Sequence, residues 1–205
     1  MDTFSAILNW NDSTKNTWDI GITTVTNAGA MVGALGSGSF AKYGKLKMIL
    51  VLNAILVVSV GFCMIENIYV IAVARFFWGM CAGSYSVFCP KYLSEFVPIE
   101  IRGTLGGIPQ FMVCVGIAIP ACLSLALENN PKEAYLINPN DFYVNQYWRV
   151  IWATPALIAI VHTILHLTCF RFETPIDLKK QNKEQELFVL MRRMYKEEEA
   201  KLRFN

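Results

Sequence analysis

Residues 74–110 run ARFFWGMCAGSYSVFCPKYLSEFVPIEIRGTLGGIPQ, and this stretch decides the fold of the chain. Positions 76–89 carry no charged side chain, whereas four charged residues follow between positions 91 and 102. From position 104 the sequence turns apolar again. Because charged side chains are costly inside a bilayer, long uncharged apolar runs are typical of membrane-spanning helices. The stretch therefore predicts two membrane spans that are joined by a charged turn.

The composition of the whole chain indicates a membrane protein. Hydrophobic residues make up 54% and charged residues 17% of its 205 residues, and the mean hydropathy is +0.38. This excludes an ordinary soluble domain, and a net charge of +2 favours neither nucleic acid nor an acidic partner. The six cysteines lie in apolar runs without metal-ligand spacing. No nucleophile and base pair or phosphate loop is visible, so we expect no enzyme activity, no cofactor and no metal.

Five apolar runs are long enough to cross roughly 30 Å of hydrocarbon as helices. They lie near residues 20–40, 48–65, 69–89, 104–127 and 148–170. The first run is rich in Gly, Ala, Ser and Thr, which suits close packing against another helix. We therefore predict an all-α, polytopic membrane helix bundle. Its parts are a polar N-terminal segment (1–19), a five-helix transmembrane domain (20–170) and a charged amphipathic helical tail (171–205).

The basic residues predict the orientation of the bundle. If the loops alternate between the two sides of the membrane, most basic residues gather on one side, and this side normally faces the cytoplasm. They are Lys42, Lys45, Lys47, Lys91, Arg102 and those of the tail from Arg171 onward. The C-terminus is thus predicted to be cytoplasmic and the N-terminus to lie opposite. In the tail, Leu187, Leu190, Met191 and Met194 follow helical spacing, so we expect a helix that rests on the membrane or on a partner.

The segment PKYLSEFVPIEIRG fits the pattern PxYxxExxPxxxRG and resembles the sugar porters of the major facilitator superfamily, which include the facilitative hexose transporters. The resemblance implies an ion-pair network at the cytoplasmic face, with Arg75, Glu95 and Arg102 as members. The matching residues are Pro90, Tyr92, Glu95, Pro98, Arg102 and Gly103.

A second stretch, SGSFAKYGKLK, resembles the turn G-x-x-x-D/N-R-x-G-R/K-R/K between helices two and three of that family. Lys42, Gly44 and Lys45 match this pattern. Ala41 replaces its acidic residue or Asn, and Leu46 replaces its second basic residue. We expect these departures to weaken whatever the turn stabilises.

A third stretch, FETPIDL, resembles the PESPR element that follows helix six of the family. Glu173 and Pro175 match, and Ile176 replaces the Arg. The resemblance therefore runs from about Trp18 to about Lys196, which is nearly the whole chain.

Two further sets of residues are candidates for chemistry inside the bundle. Gln110 aligns with a Gln that contacts hexose in the family; the alternative is an interhelical hydrogen bond that survives from an ancestral site. His162 and His166 are four residues apart and share a helix face, a spacing that could hold a metal or relay a proton. No carboxylate or Cys partner is arranged with them in the sequence, so we interpret them as packing residues and predict no metal.

Against the family pattern, the five predicted spans correspond to helices two to six of a major facilitator fold. The first helix and the C-terminal half would then be missing. We therefore expect a non-transporting structural subunit of a larger membrane complex, with lipid and other membrane subunits as partners. The alternative is a sugar transporter that needs a complementary polypeptide or self-association, with hexose as its substrate. The sequence leaves open whether the membrane is the mitochondrial inner membrane or the plasma membrane.

Overall fold

The structure is a computed structural model that describes residues 12–40, 44–65, 67–97, 99–125, 147–168 and 173–194. Almost all of these residues are helical and none lies in a strand, which confirms the predicted all-α class for the described part of the chain. The helices are α1 (Asp12–Phe40), α2 (Lys45–Cys63), α3 (Ile68–Phe96), α4 (Ile99–Leu105), α5 (Ile108–Ser124), α6 (Tyr147–Thr168), α7 (Pro175–Lys180) and α8 (Glu184–Met194).

Four segments of the described chain are long and apolar enough to cross a membrane. They are α2, α3, the segment Ile101–Ser124 and α6, and they match the second to fifth predicted spans. α1 has 29 residues, about 43 Å at 1.5 Å per residue, but its Gly, Ser and Thr content keeps it outside this set. The total of five spans therefore stays a prediction.

α3 is longer than the sequence predicts. Asn67 caps its start, because its side-chain oxygen accepts a hydrogen bond from the Tyr69 backbone N–H at 3.1 Å. The helix continues through Pro90 to Phe96 and ends where Val97 is extended. A residue that precedes a proline is disfavoured in helical conformation, and position 98 is proline. The charged segment PKYLSEF is consequently a continuation of the span rather than a turn.

α1 and α3 pack backbone against backbone through four glycines. Each helix has two of them at a spacing of four: Gly29 and Gly33 on α1, and Gly79 and Gly83 on α3. A Cβ at any of the four would overlap a backbone carbonyl of the opposite helix. The Ser84 hydroxyl lies within hydrogen-bond distance of the Gly33 carbonyl across the interface, at 3.1 Å, and of the Met80 carbonyl of its own helix, at 2.9 Å. The small residues of the first run thus serve the close packing predicted for them.

The remaining core lies where α2 packs against α3 and α6. α2 contributes a buried apolar face, and α3 and α6 add a few side chains to it. The buried members are Ile49, Leu52, Leu56, Val60, Cys81, Phe88 and Ala159.

α5 and α8 differ in how much of their apolar surface is covered. None of the residues of α5 is buried. In contrast, α8 buries Leu187 and Leu190 against Leu178 of α7 and Phe96 at the end of α3. The apolar face of this predicted amphipathic helix therefore contacts the protein itself, where the sequence suggested membrane or a partner.

Candidate functional site

The three sequence motifs meet at one end of the bundle, the end predicted to face the cytoplasm. The start of α2, the end of α3 and the segment around α7 place Lys45, Glu95, Glu173 and Asp177 together, and we call these four residues the charged cluster. Lys45 is at its centre and is only 2% exposed. A lysine this deeply buried requires anionic partners.

Lys45 has two such partners. Its ammonium lies 2.7 Å from a carboxylate oxygen of Glu95 and donates to both carboxylate oxygens of Asp177 at 2.9 Å. The backbone N–H of Lys45 also donates to Asp177, at 3.3 Å. Asp177 therefore satisfies one of the open N–H groups at the start of α2 while it pairs with the side chain.

Glu173 binds the next open N–H group of α2. One of its oxygens accepts a hydrogen bond from the Leu46 backbone N–H at 3.2 Å. Burial raises the pKa of the Glu173 carboxyl above its ordinary value of 4.5, since a charged carboxylate is disfavoured away from water. Gly44 makes this approach possible: its φ is +99°, and an added Cβ would lie 2.7 Å from the Glu173 carboxylate.

Local capping positions Asp177. Thr174 is the N-cap of α7, and its hydroxyl accepts a hydrogen bond from the Asp177 backbone N–H at 3.3 Å. Pro175 follows in the first helical turn, where its missing N–H costs nothing. Asp177 itself lies in the first turn, where a negative charge is favourable. The sequence TPID thus builds the acid that binds Lys45.

The structure brings together Gly44, Lys45, Glu95, Glu173 and Pro175 of the residues that the family resemblance selects. Of the other members of the patterns, Arg102 is exposed and donates to the Val97 carbonyl at 3.4 Å, and Gly103 is exposed nearby. Pro90 and Tyr92 lie on the last turns of α3. Lys42 and Pro98 lie outside the described residues.

The placement of Arg75 in this network was wrong. It lies on α3 twenty positions before Glu95, roughly 30 Å away along a helix. Its guanidinium carbon is 4.4 Å from the ring centroids of both Trp78 and Trp152. Among the described residues, this charge is held by cation–π contacts with two indoles rather than by an ion pair.

Gln110 lies exposed near the start of α5. No hydrogen bond of its side chain joins it to another helix among the described residues, so the interhelical alternative has no support there. Its amide offers both donors and an acceptor on an otherwise apolar helix surface.

Sequence reasoning missed a polar junction between α2, α3 and α6. The Asn53 amide nitrogen donates to the Thr163 hydroxyl at 2.9 Å and lies 3.1 Å from His162 Nδ1. The Tyr85 hydroxyl donates to the Asn53 amide oxygen at 2.6 Å. The one available signal was a single Asn within the uncharged run from position 48 to 65. No group of three or more His, Cys, Asp or Glu side chains with metal-site geometry occurs in the part of the chain described.

A family model, similar sequences and solved structures all relate this chain to sugar transporters. A family model described as "Sugar (and other) transporter" matches residues 3–204. The hexose transporter 1 of Plasmodium knowlesi is 27% identical over 168 residues, which are 82% of this chain and 33% of that protein. The plastidic glucose transporter 4 of Arabidopsis thaliana is 27% identical over 175 residues, 83% of this chain and 29% of that protein. The chain thus spans about a third of the length of these relatives.

Solved structures with the same fold include the xylose transporter XylE from E. coli. Its partially occluded inward-open form has a TM-score of 0.78 at 17% identity and covers 99% of this chain and 52% of that one. The proton:xylose symporter XylE bound to 6-bromo-6-deoxy-D-glucose has a TM-score of 0.77 at 19% identity, and covers 98% of this chain and 45% of that one.

Proposed function

This chain belongs to the sugar (and other) transporter family, and on that premise we propose that it supplies one half of a helical pathway for hexose across a membrane. The other half comes from further protein helices, on the same polypeptide or on a partner. Two curated relatives named as hexose and glucose transporters support this substrate class.

The observation that carries the proposal is the uncovered surface of α5. None of its residues is buried, and Gln110 exposes an amide on it. An amide facing hydrocarbon without partners is unfavourable by several kcal/mol. A pathway between α5 and a second group of helices removes this cost, because sugar hydroxyls and water donate to and accept from an amide.

A second candidate is a non-transporting structural subunit of a larger membrane complex. It is favoured by Leu46, which stands where the family turn has a basic residue and is buried at 9% exposure. Lys45, the neighbouring basic residue, is already paired with acids of its own bundle. The turn therefore presents less positive charge to a second half of the transporter than the family pattern would. The mitochondrial inner membrane remains a prediction within this candidate.

Flux measurements distinguish the two candidates. We would isolate the chain with its companions from gently solubilised membranes, reconstitute them into vesicles and follow labelled glucose. Hexose-specific flux is expected, and Gln110→Ala should raise the half-saturating sugar concentration about tenfold, equivalent to roughly 1.4 kcal/mol. Met112→Ala is the matched control, because Met112 lies roughly 200° around the same helix.

A stable complex that neither binds nor moves hexose contradicts the transport proposal and supports the structural subunit. Equal flux in the Gln110 and Met112 variants contradicts the role of Gln110 in sugar binding but leaves the transport proposal standing.

A further inference from the structure

The hydrogen-bond directions at the junction of α2, α3 and α6 follow from the position of the Thr163 hydroxyl proton. The Thr163 hydroxyl has one proton, and it donates it to the Ala159 carbonyl at 2.8 Å. Towards Asn53 it can therefore only accept. The group of Asn53 that lies 2.9 Å away must then be the amide nitrogen, which leaves the amide oxygen to accept from Tyr85 at 2.6 Å.

This arrangement sets the state of His162. Its Nδ1 lies 3.1 Å from the same Asn53 amide nitrogen. Because that nitrogen is a donor, Nδ1 has to be an unprotonated acceptor, and the ring proton of the neutral imidazole is on Nε2. A second proton, on Nδ1, would place two N–H groups against each other.

We propose that Asn53 and His162 form a proton-operated latch that joins α2 to α6 while His162 is neutral and opens when His162 takes up a proton. Proton uptake costs the Asn53–His162 hydrogen bond. Rotation of the amide to offer its oxygen instead would carry its own cost: Tyr85 would have to accept rather than donate, and the Thr163 hydroxyl would have to leave the Ala159 carbonyl to donate to Asn53. Protonation is thereby coupled to the packing of three helices, whichever cargo the bundle serves.

Of the two members of the latch, only His162 can take up a proton, and other titratable groups surround it. His166 on the same helix is the nearest, with ring centroids 4.4 Å apart, so a proton on one imidazole disfavours a proton on the other. α2 contributes the neutral Asn53 at this depth. The other titratable or charged side chains of the packed elements are Lys45, Lys47 and Cys63 on α2, Tyr69, Arg75, Cys81, Tyr85, Cys89, Lys91, Tyr92 and Glu95 on α3, Cys114 and Cys122 on α5, Tyr147 and Arg149 on α6, and Glu173 and Asp177 beyond the end of α6.

The charged cluster does not produce the same response to acid. Burial raises the pKa of Glu173, so its protonation relieves an unfavourable buried charge. Acid therefore favours the folded state at Glu173, whereas it breaks a hydrogen bond at His162. The two responses have opposite signs and can be separated by substitution.

Thermal unfolding of the full chain, followed by tryptophan fluorescence, tests the latch. Between pH 8 and pH 5, which brackets the usual imidazole titration near pH 6.5, the midpoint is expected to fall by roughly 3–6 °C. His162→Asn keeps an acceptor oxygen near the position of Nδ1 but cannot be protonated, so it should lose this acid response. His166→Asn is the matched control and should retain it.

An acid response of His162→Asn equal to that of the unsubstituted chain would overturn the proposal, as would the absence of any fall in Glu173→Gln, in which the opposing response of Glu173 is removed. A second measurement does not depend on a variant that folds well. The chain has two histidines, and solid-state ¹⁵N spectra at pH 8 should show one imidazole with a bare Nδ1 hydrogen-bonded to an amide. A protonated Nδ1 on His162 at that pH would also refute the latch.

Discussion

At the scale of single residues, Lys45 shows how one side chain ties three motifs together. Lys45→Met would leave Glu95 and Asp177 buried without their cation. We expect the free energy of unfolding to fall by about 3–5 kcal/mol, measured by denaturant titration in mixed micelles. Lys183→Met is the control, because the pair between Lys183 and Glu186 is about half exposed and should contribute less than about 1 kcal/mol. Similar losses for the two variants would show that Lys45 is not held as described.

Glu173 gives a pH dependence of known sign. Its pKa is raised by burial, so the folded state binds a proton more readily than the unfolded state. The contribution is fully present below the ordinary value of 4.5 and is lost as pH rises through the raised pKa of the folded state. Amide hydrogen exchange in α7, corrected for the intrinsic rate, should therefore slow on acidification.

Glu173→Gln should remove this pH dependence, because the amide cannot ionise and its oxygen can still accept from Leu46. Exchange in α7 of the variant at neutral pH is expected to be no faster than in the unsubstituted chain. Faster exchange would mean that the ionised carboxylate stabilises the segment.

Single residues differ in how well the sequence predicts them. Glu95 and Glu173 are found because each belongs to a pattern with fixed spacing. Asp177 follows a pattern but is not part of it, and its partner Lys45 lies 132 positions away. Asn53 and His162 are separated by 109 positions. Such pairings depend on how helices pack, and no local spacing encodes them.

At the scale of helices, the glycine contact between α1 and α3 makes a sharp prediction. Gly33→Ala and Gly79→Ala each place a methyl group against an opposing carbonyl, and overpacking of this kind costs about 1–3 kcal/mol. Gly21→Ala is the control on α1, since a Cβ at position 21 would meet nothing within 4 Å. This variant should gain up to about 1 kcal/mol of stability, because Ala has a higher helix propensity than Gly. Thermal stability in detergent measures the difference. Equal behaviour of Gly33 and Gly21 would exclude the close contact.

Hydropathy predicts the helices better than their ends. The spans at α2, α3, α5 and α6 follow directly from uncharged apolar runs. The end of α3 does not, because charge was taken to end the helix, whereas the chain stays helical to Phe96, where Pro98 stops it. The partner of α8 could not be predicted either. The same spacing of apolar residues along the helix would suit a lipid surface or the contact with Leu178.

At the scale of the whole molecule, the exposed apolar faces of α5 and α2 should have different neighbours. A photoreactive benzoylphenylalanine in place of Ile117 on α5, 67% exposed, is expected to crosslink to protein in native membranes. The same replacement of Val58 on α2, 58% exposed, is expected to label lipid. Mass spectrometry of the adducts identifies both. Lipid adducts alone at position 117 would show that no protein covers α5.

The position of Arg75 shows most clearly what the sequence does not predict at this scale. The family resemblance places the residue in a pattern, but helix length places it at the opposite end of α3 from Glu95. The indole of Trp152 that covers it comes from α6, 77 positions later. The fold class follows from composition, whereas which charges meet follows from the assembled bundle.

The glycine contact between α1 and α3 also bears on how the protein enters its membrane during synthesis. α1 is not apolar enough to rank among the spanning segments, and α3 begins 28 positions after α1 ends. We expect α1 to gain a stable place in lipid only once α3 has left the ribosome and can shield its backbone. Labelling of a cysteine introduced into α1 by a water-soluble maleimide, in chains truncated before Ile68 or after Phe96, would measure this, with α1 shielded from the reagent only in the longer chain. The order of translation then becomes part of the folding pathway.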